Sequence, residues 1–353
     1  MKMDAHAFAP EALHITHDVG DAAVDDFVAQ MAGATPFHRM AWGRAIEAAT
    51  GHKLHLLALV DGAGALHGVL PLHHVRSRLF GNALVSAGFA VDGGILAEDD
   101  RAAVMLGQAS VDLATRLGVP AVELRGGPTP DGWQSVSDAH VGFVGPILAD
   151  DDAQLAAIPR KHRAEVRKAL ANDLTISIGR DAAVRADHYR IYATSVRNLG
   201  TPVFPRALFN AVLDNFGDDA DILTIHHQGA AVASVLSLYD QDSVYPFWGG
   251  GTQAARGLRA NEMLYFALMR HARTRGCTRF DFGRSKVGSG PAAYKKNWGF
   301  DAMPLSYSHW SKDGGSRDIN PNSAKYRAMV TMWQRLPLPL ANFLGPLIAR
   351  QLG

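Results

Sequence analysis

The order of apolar patterns in this chain occurs twice, and that repetition limits the fold more than any other feature. In the first half, Trp42, Ala45, Ile46 and Ala49 recur at the spacing of one helical face. Leu54 to Val60 reads as a strand, Asp61-Gly62-Ala63-Gly64 as a turn, and Leu66 to Val75 as the returning strand. A helix with Leu106, Ala109, Leu113 and Leu117 on one side stops at Gly118, and Val119 to Leu124 enters a further strand. In the second half, Tyr189, Tyr192, Ala193 and Val196 make one helical face; Phe209, Val212, Leu213 and Phe216 make another. A hairpin follows, Ile222 to His227 and Val232 to Tyr239 around Gln228-Gly229, and Ser243 to Trp248 adds a strand. A helix carrying Leu264, Ala267, Leu268 and His271 stops at Gly276, and Thr278 to Phe282 is again a strand. The period, roughly 160 residues, is longer than that of solenoid repeats and marks a duplicated domain. Glu123 and Asp281 take the same place in the two copies, five residues after the helix-ending glycine.

The expected fold class is α+β: two domains with mixed sheets, residues 11–150 and 151–319, meeting near Asp150–Ala153. Residues 320–353 break the pattern and form an apolar, proline-rich C-terminal extension. Its Met332, Trp333, Leu336, Leu338, Leu340, Phe343, Leu344 and Leu347 are too apolar to be left wholly in water, so it is expected to pack on the protein or on a membrane surface.

Composition excludes several function classes. With 35 basic against 34 acidic residues the net charge is +1, so no global field draws the chain to nucleic acid and any anion must be held locally. The single cysteine, Cys277, excludes an intrachain disulfide and a cysteine-based zinc site. The 16 histidines show no metal spacing, and the pairs His73-His74 and His226-His227 lie on strands, where neighbours face opposite sides; no metal is expected. Met1 to Pro10 lacks a basic start followed by an apolar run. No stretch reaches the roughly 18 apolar residues of a spanning helix. The expected location is cytoplasmic, with the inner face of the membrane open through the extension.

The chemistry concentrates late in the chain. Phe280-Asp281-Phe282-Gly283-Arg284-Ser285-Lys286 reads as a strand running into a cationic loop, followed by Tyr294-Lys295-Lys296-Asn297-Trp298-Gly299-Phe300. Arg284, Lys286, Lys295 and Lys296 would surround an anion beside the aromatic walls of Tyr294 and Trp298, Arg284 gripping a phosphate or carboxylate in two-point fashion. Acyl transfer to an amine needs a donor for the developing oxyanion, a role that suits a lysine in a partly dry pocket. Asp281 would orient Arg284 or accept a proton. A solvated loop and a structural ion pair are the alternatives, and Glu123 with Arg125 repeats the second arrangement. The loop Asn198-Leu199-Gly200-Thr201-Pro202-Val203-Phe204-Pro205 either shapes a pocket, through Asn198, Gly200, Thr201 and Pro202, or only separates two helices. Tyr245-Pro246-Phe247-Trp248-Gly249-Gly250-Gly251 ends a strand close to a helix near Asn261; Trp248 and Asn261 are further candidates for substrate contact. Arg160, Lys161, Arg163 and Arg167 form an anion patch on a helix, suited to RNA phosphates or an anionic lipid-linked substrate, or simply a solvated basic face.

These segments together resemble the FemAB-type proteins, and most closely their exosortase/PEP-CTERM-associated subgroup, found with exopolysaccharide loci. The resemblance spans nearly the whole chain: Gly68-Val69-Leu70-Pro71-Leu72 with Val75-Arg76-Ser77, Arg163-Ala164-Glu165-Val166-Arg167-Lys168, Leu199 to Pro205, Trp333-Gln334-Arg335-Leu336-Pro337-Leu338, and the two late segments above. It implies tandem GNAT-like acyltransferase domains. Characterised Fem-type enzymes move an amino acid from aminoacyl-tRNA to an amine of a peptidoglycan precursor. Their Phe-Lys-x-x-aromatic-Gly lysine corresponds to Lys295, with Tyr294 standing where the family has Phe. The resemblance implies a donor that visits rather than a resident cofactor, aminoacyl-tRNA or acyl-CoA, and a small-molecule or lipid-linked glycan or peptide acceptor. Two departures stand out. Asp92 occupies a place where related sequences carry Tyr. The GNAT pyrophosphate loop, Gln/Arg-x-x-Gly-x-Gly/Ala, is spoiled in Gln253-Ala254-Ala255-Arg256-Gly257-Leu258, whose glycine comes one place late. Weak or absent acetyl-CoA binding is therefore expected. A duplicated domain that binds a glycan or partner without catalysis is the competing reading, and an acyl-CoA-dependent N-acyltransferase is a third.

Overall fold

A computed structural model describes residues 13–77, 81–314 and 324–351. Each half opens with helices and a long antiparallel hairpin. In the first, Lys53–Val60 pairs with Leu66–Ser77, and the Asp61 carboxylate closes the turn by accepting from the N–H groups of Ala63 and Ala65. Gly81–Ser86 extends the sheet. The helix Asp100–Leu117 then begins on the Asp99 side chain, which accepts from Ala102 N–H, and ends at Gly118 in the left-handed region. It returns the chain to Ala121–Arg125, which pairs parallel with Gly81–Ser86. The second half repeats this with Ala220–His227, Ala230–Asp240, Ser243–Gly251, the helix Ala260–Thr274 and Arg279–Asp281, again parallel to its neighbour. The observed class is α+β, and the described residues form two mixed sheets of eight strands each. The two hairpins hold the same place in the two strand orders, and so do Glu123 and Asp281.

The sheets do not part at residue 150. Strand His140–Pro146, which follows the first copy in sequence, lies antiparallel on Arg279–Asp281 of the second sheet, with Asp281 opposite Val144. Strand Tyr307–Ser311, from the second copy, lies antiparallel on Ala121–Arg125 of the first, with His309 opposite Glu123. The copies thus exchange equivalent strands. A shared core ties them further. Helix Met40–Thr50 packs on helix Arg206–Phe216. Trp42 meets Phe247 and Trp248 at ring distances of 5.2 and 5.9 Å, and Phe209 meets Trp248 at 4.7 Å. The Trp42 indole N–H donates to Gly88 O at 3.0 Å, so burying it leaves no unpaired donor.

The extension forms helices Ala324–Arg335 and Leu338–Ala349, both against helix Ala182–Leu199. Arg197 and Asn198 bond Gln334, and His52 donates to the carbonyl of Arg350 at 2.7 Å, so the extension touches both halves. Among the described residues no helix is long and apolar enough to cross a membrane.

Candidate active site

The strands Ser243–Gly251 and Arg279–Asp281 pair only through Ser243 with Arg279 and Val244 with Phe280. Past Val244 they diverge. The first is irregular against its other neighbour, the register slipping between Leu236 and Ser237, a bulge of the kind that re-aims side chains. The second turns away at Gly283, whose φ of +70° suits glycine. A cavity of about 100 Å³ opens between them. Tyr245, Pro246 and Phe247 line one side, Asp281 and Gly283 the other, and Gly142, Val144, Met303 and Leu305 complete the second-half wall. The first half closes it with Thr35, Phe37, Val91 and Asp92.

Close backbone approach holds Asp92 in place. A Cβ on Gly126, at φ +74°, would lie 1.7 Å from Asp92 Oδ1, and one on Gly94 would lie 2.0 Å from Gly126 O. Gly93 N–H donates to Arg125 O at 2.8 Å, and Thr35 Oγ1 donates to Asp92 O at 2.6 Å. The chain leading to Asp92 is itself strained, with Ala87 and Phe89 at φ 42° and 65°. Such conformations cost of order 1–3 kcal/mol each and persist where surrounding contacts impose them.

The electrostatics follow from two buried carboxyl groups in one cavity. Burial, and then the charge of Asp281, push Asp92 up to about 6. Asp281 is raised by burial, while the Gly283 N–H at 2.8 Å and the nearby Lys295 act to keep it ionised. Lys295 is lowered to about 8, chiefly by burial. Its ammonium donates to the carbonyls of Gly283 and Arg284 at 3.0 and 2.9 Å and faces the rings of Phe282 and Phe143. Burial also raises the Tyr245 hydroxyl, so it stays protonated and able to donate. A base that titrates near neutrality in the same cavity as a protonated hydroxyl can take a proton from a nucleophile while the hydroxyl supports an oxyanion.

The three residues expected to act together, Asp281, Arg284 and Lys295, do gather, but in two layers. Asp281 lines the cavity. Lys295 stands behind it and braces the turn. Arg284 donates to the Tyr307 hydroxyl at 2.7 Å, which donates on to Val91 O at 3.1 Å, joining the second half to the residue before Asp92. His140 stacks on Tyr307 and is held down to about 4 by burial and by the charges of Arg284, Lys286 and Arg125. Lys286 thus belongs to this cationic flank, its strand Ser285–Lys286 pairing with Val141 and His140.

The other candidates lie elsewhere. The segment read as a cationic loop contains a helix, Gly290–Asn297, capped by Ser289 and opened by Pro291. Its periodicity separates the neighbours. Tyr294 and Trp298 turn toward His162, Tyr265 and Phe282 in the second-half core rather than lining the cleft. Lys296 points to solvent. The Asn198–Pro205 loop runs under the extension, not beside Asp281: a Cβ on Gly200 would lie 2.4 Å from Val330, Thr201 is exposed, and Pro202 precedes Val203, which packs against Gly345. Trp248 is buried in the shared core. Asn261 sits against Gly251, and the hollow formed there by Asn198, Ser195, Thr252, Gln253 and Arg256 is about 50 Å³. Arg160, Lys161 and Arg167 are exposed on helix Arg160–Ala171, while Arg163 bonds Ile158 O. Asp92, Tyr245 and Thr35 were not foreseen as site residues. The one signal in the sequence is Asp92 itself, an acid directly ahead of Gly93-Gly94.

The profile of the acetyltransferase (GNAT) domain matches residues 159–296. No curated protein sequence matches the chain. Among solved structures it is similar to FemX, with 15% identity and a TM-score of 0.68 over 84% of this chain and 96% of that one. A tandem GNAT protein from the clavulanic acid biosynthesis pathway is 13% identical with a TM-score of 0.53, over 86% of this chain and all (100%) of that one. L-PGS from Bacillus licheniformis gives 13% and 0.53 over 90% of this chain and 98% of that one. The chain therefore folds as two GNAT-type units in tandem, the second of which matches the GNAT acetyltransferase domain profile.

Proposed function

We propose that this protein transfers an acyl or aminoacyl group to an amine, or less readily a hydroxyl, in the cavity between its halves. The observation that carries this reading is the convergence of Asp92 and Asp281, one from each half, on the gap between two splayed strands. Asp92 takes the proton as the acceptor nitrogen attacks the acyl carbonyl; the Tyr245 hydroxyl donates to the oxyanion. The new N–C bond forms as the ester or thioester bond breaks, and the leaving oxygen or sulfur recovers the proton from Asp92. Transfer is direct, with no covalent enzyme intermediate. Asp281, Lys295 and Arg284 set the field and the position of the two walls.

An ester donor such as aminoacyl-tRNA is preferred to acyl-CoA. The displaced Gly257 and the small hollow beside Gly251 support this, as does the exposed basic helix Arg160–Ala171. The acceptor proposed is a cell-envelope or exopolysaccharide precursor of a PEP-CTERM/exosortase system; the sequence resemblance to that FemAB subgroup is its support. Labelled aminoacyl-tRNA and acetyl-CoA, offered separately with an amino sugar or a lysyl peptide, test the reading. Label should pass from aminoacyl-tRNA to the amine, and Asp92→Asn should lower that rate about 100-fold or more, the usual weight of a general base. Transfer from acetyl-CoA alone would reverse the donor preference; transfer from neither would favour a binding module.

A further inference from the structure

The extension packs in an unusual sense. On helix Leu338–Ala349 the small residues Ala341, Gly345 and Ala349 are buried against the protein, Gly345 at Val203. By helical geometry the large residues Leu340, Phe343 and Leu347 lie on the opposite side, and they are 43%, 70% and 46% exposed. Met329 and Met332 of the preceding helix are 53% and 61% exposed. Of 14 exposed large apolar side chains among the described residues, these five fall in the final 28 described residues, 324–351. A helix that only needed to close a core would turn its large side chains inward. The same stretch carries Arg335 and Arg350, both exposed, and no acidic residue, against a near-neutral whole.

We infer that these two helices dock this protein on an anionic lipid surface, the Leu340–Phe343–Leu347 stripe entering the acyl boundary and the flanking cations meeting the headgroups. Twelve residues make a helix of about 18 Å, short of a span, so it lies in the plane of the interface. The excess of cations without a carboxylate selects an anionic bilayer over a second copy of this chain, which would bring like charges together.

Co-sedimentation with phosphatidylglycerol–phosphatidylcholine vesicles tests this. Binding is expected, weakening with salt, and Phe343→Glu/Leu347→Glu should reduce it about tenfold or more while leaving the melting temperature unchanged, since both side chains face water. As a second readout, Phe343→Cys carries an environment-sensitive dye selectively, because the native Cys277 is buried; its emission should shift to the blue on vesicles. No binding, equal binding by the double variant, equal binding to purely zwitterionic vesicles, or no spectral shift would each overturn the inference. So would a dimer in solution that the double variant dissociates, which would assign the stripe to a second copy.

Discussion

Asp92 is an acid held where ionising is costly, and that cost has a measurable sign. Its folded pKa of about 6 lies above the ordinary 3.8, so the native state binds the proton more tightly than the unfolded chain between those values. The native state therefore loses stability as pH rises from about 4 to about 6, by an amount up to about 3 kcal/mol. Asp92→Asn removes this burden. At pH 8 the variant should be more stable than the wild type to urea, and at pH 4 nearly equal, while its transfer rate is lowered about 100-fold or more. A variant no more stable at pH 8 would mean that Asp92 is not charged against its surroundings. Lys295, whose motif implies direct charge stabilisation, donates to the carbonyls of Gly283 and Arg284. Lysine→methionine there keeps the stem but leaves the carbonyls of Gly283 and Arg284 without their donor, at about 1–3 kcal/mol. Urea unfolding should register that loss together with the fall in transfer; normal stability with lost activity would restore direct charge stabilisation by Lys295. The sequence made Asp281 and Lys295 visible because they sit in one short segment. Asp92 lies 189 positions before Asp281, and only the packing of one half on the other brings them together.

Among the elements, the stretch after Gly283 sets a helix-capping signal among clustered charges. Ser289-Gly290-Pro291 is a helix start: the Ser289 hydroxyl accepts from Ala292 N–H and proline stands in the first turn. Ser289→Ala should cost about 1 kcal/mol in urea unfolding. Helical periodicity then explains why Lys295 and Lys296, adjacent in sequence, end in a buried turn and in solvent. Two glycines make a sharper contrast. Gly126→Ala would place a Cβ inside the Asp92 carboxylate, so it should abolish transfer and destabilise strongly. Gly257, in the displaced pyrophosphate motif, has open space around its Cβ position and lies inside helix Gln253–Leu258. Gly257→Ala should gain about 0.5–1 kcal/mol through helix propensity and leave transfer unchanged. A loss of activity in Gly257→Ala would return the phosphate-binding role to that loop.

For the whole molecule, the duplication was legible because hairpin, helix and strand each leave a local signature of alternation, periodicity and a terminating glycine. The strand exchange was not. His140–Pro146 and Tyr307–Ser311 show no clean apolar–polar alternation, and nothing local in them says which sheet receives them. With exchanged strands and the Trp42–Trp248 core in common, the halves should fail to fold when expressed apart, and the intact chain should unfold in a single transition by fluorescence and circular dichroism. The exchange also places the cavity, since Val144 lines it and Tyr307 links Arg284 to the segment carrying Asp92. The central claim is that a carboxylate from each half shares one centre. The most direct measurement is a ¹³C NMR titration of Asp92 in the wild type and in Asp281→Asn, which needs no substrate. Asp92 should titrate near 6 in the wild type and at lower pH once the Asp281 charge is removed; titration near 4 in both proteins would contradict the shared centre.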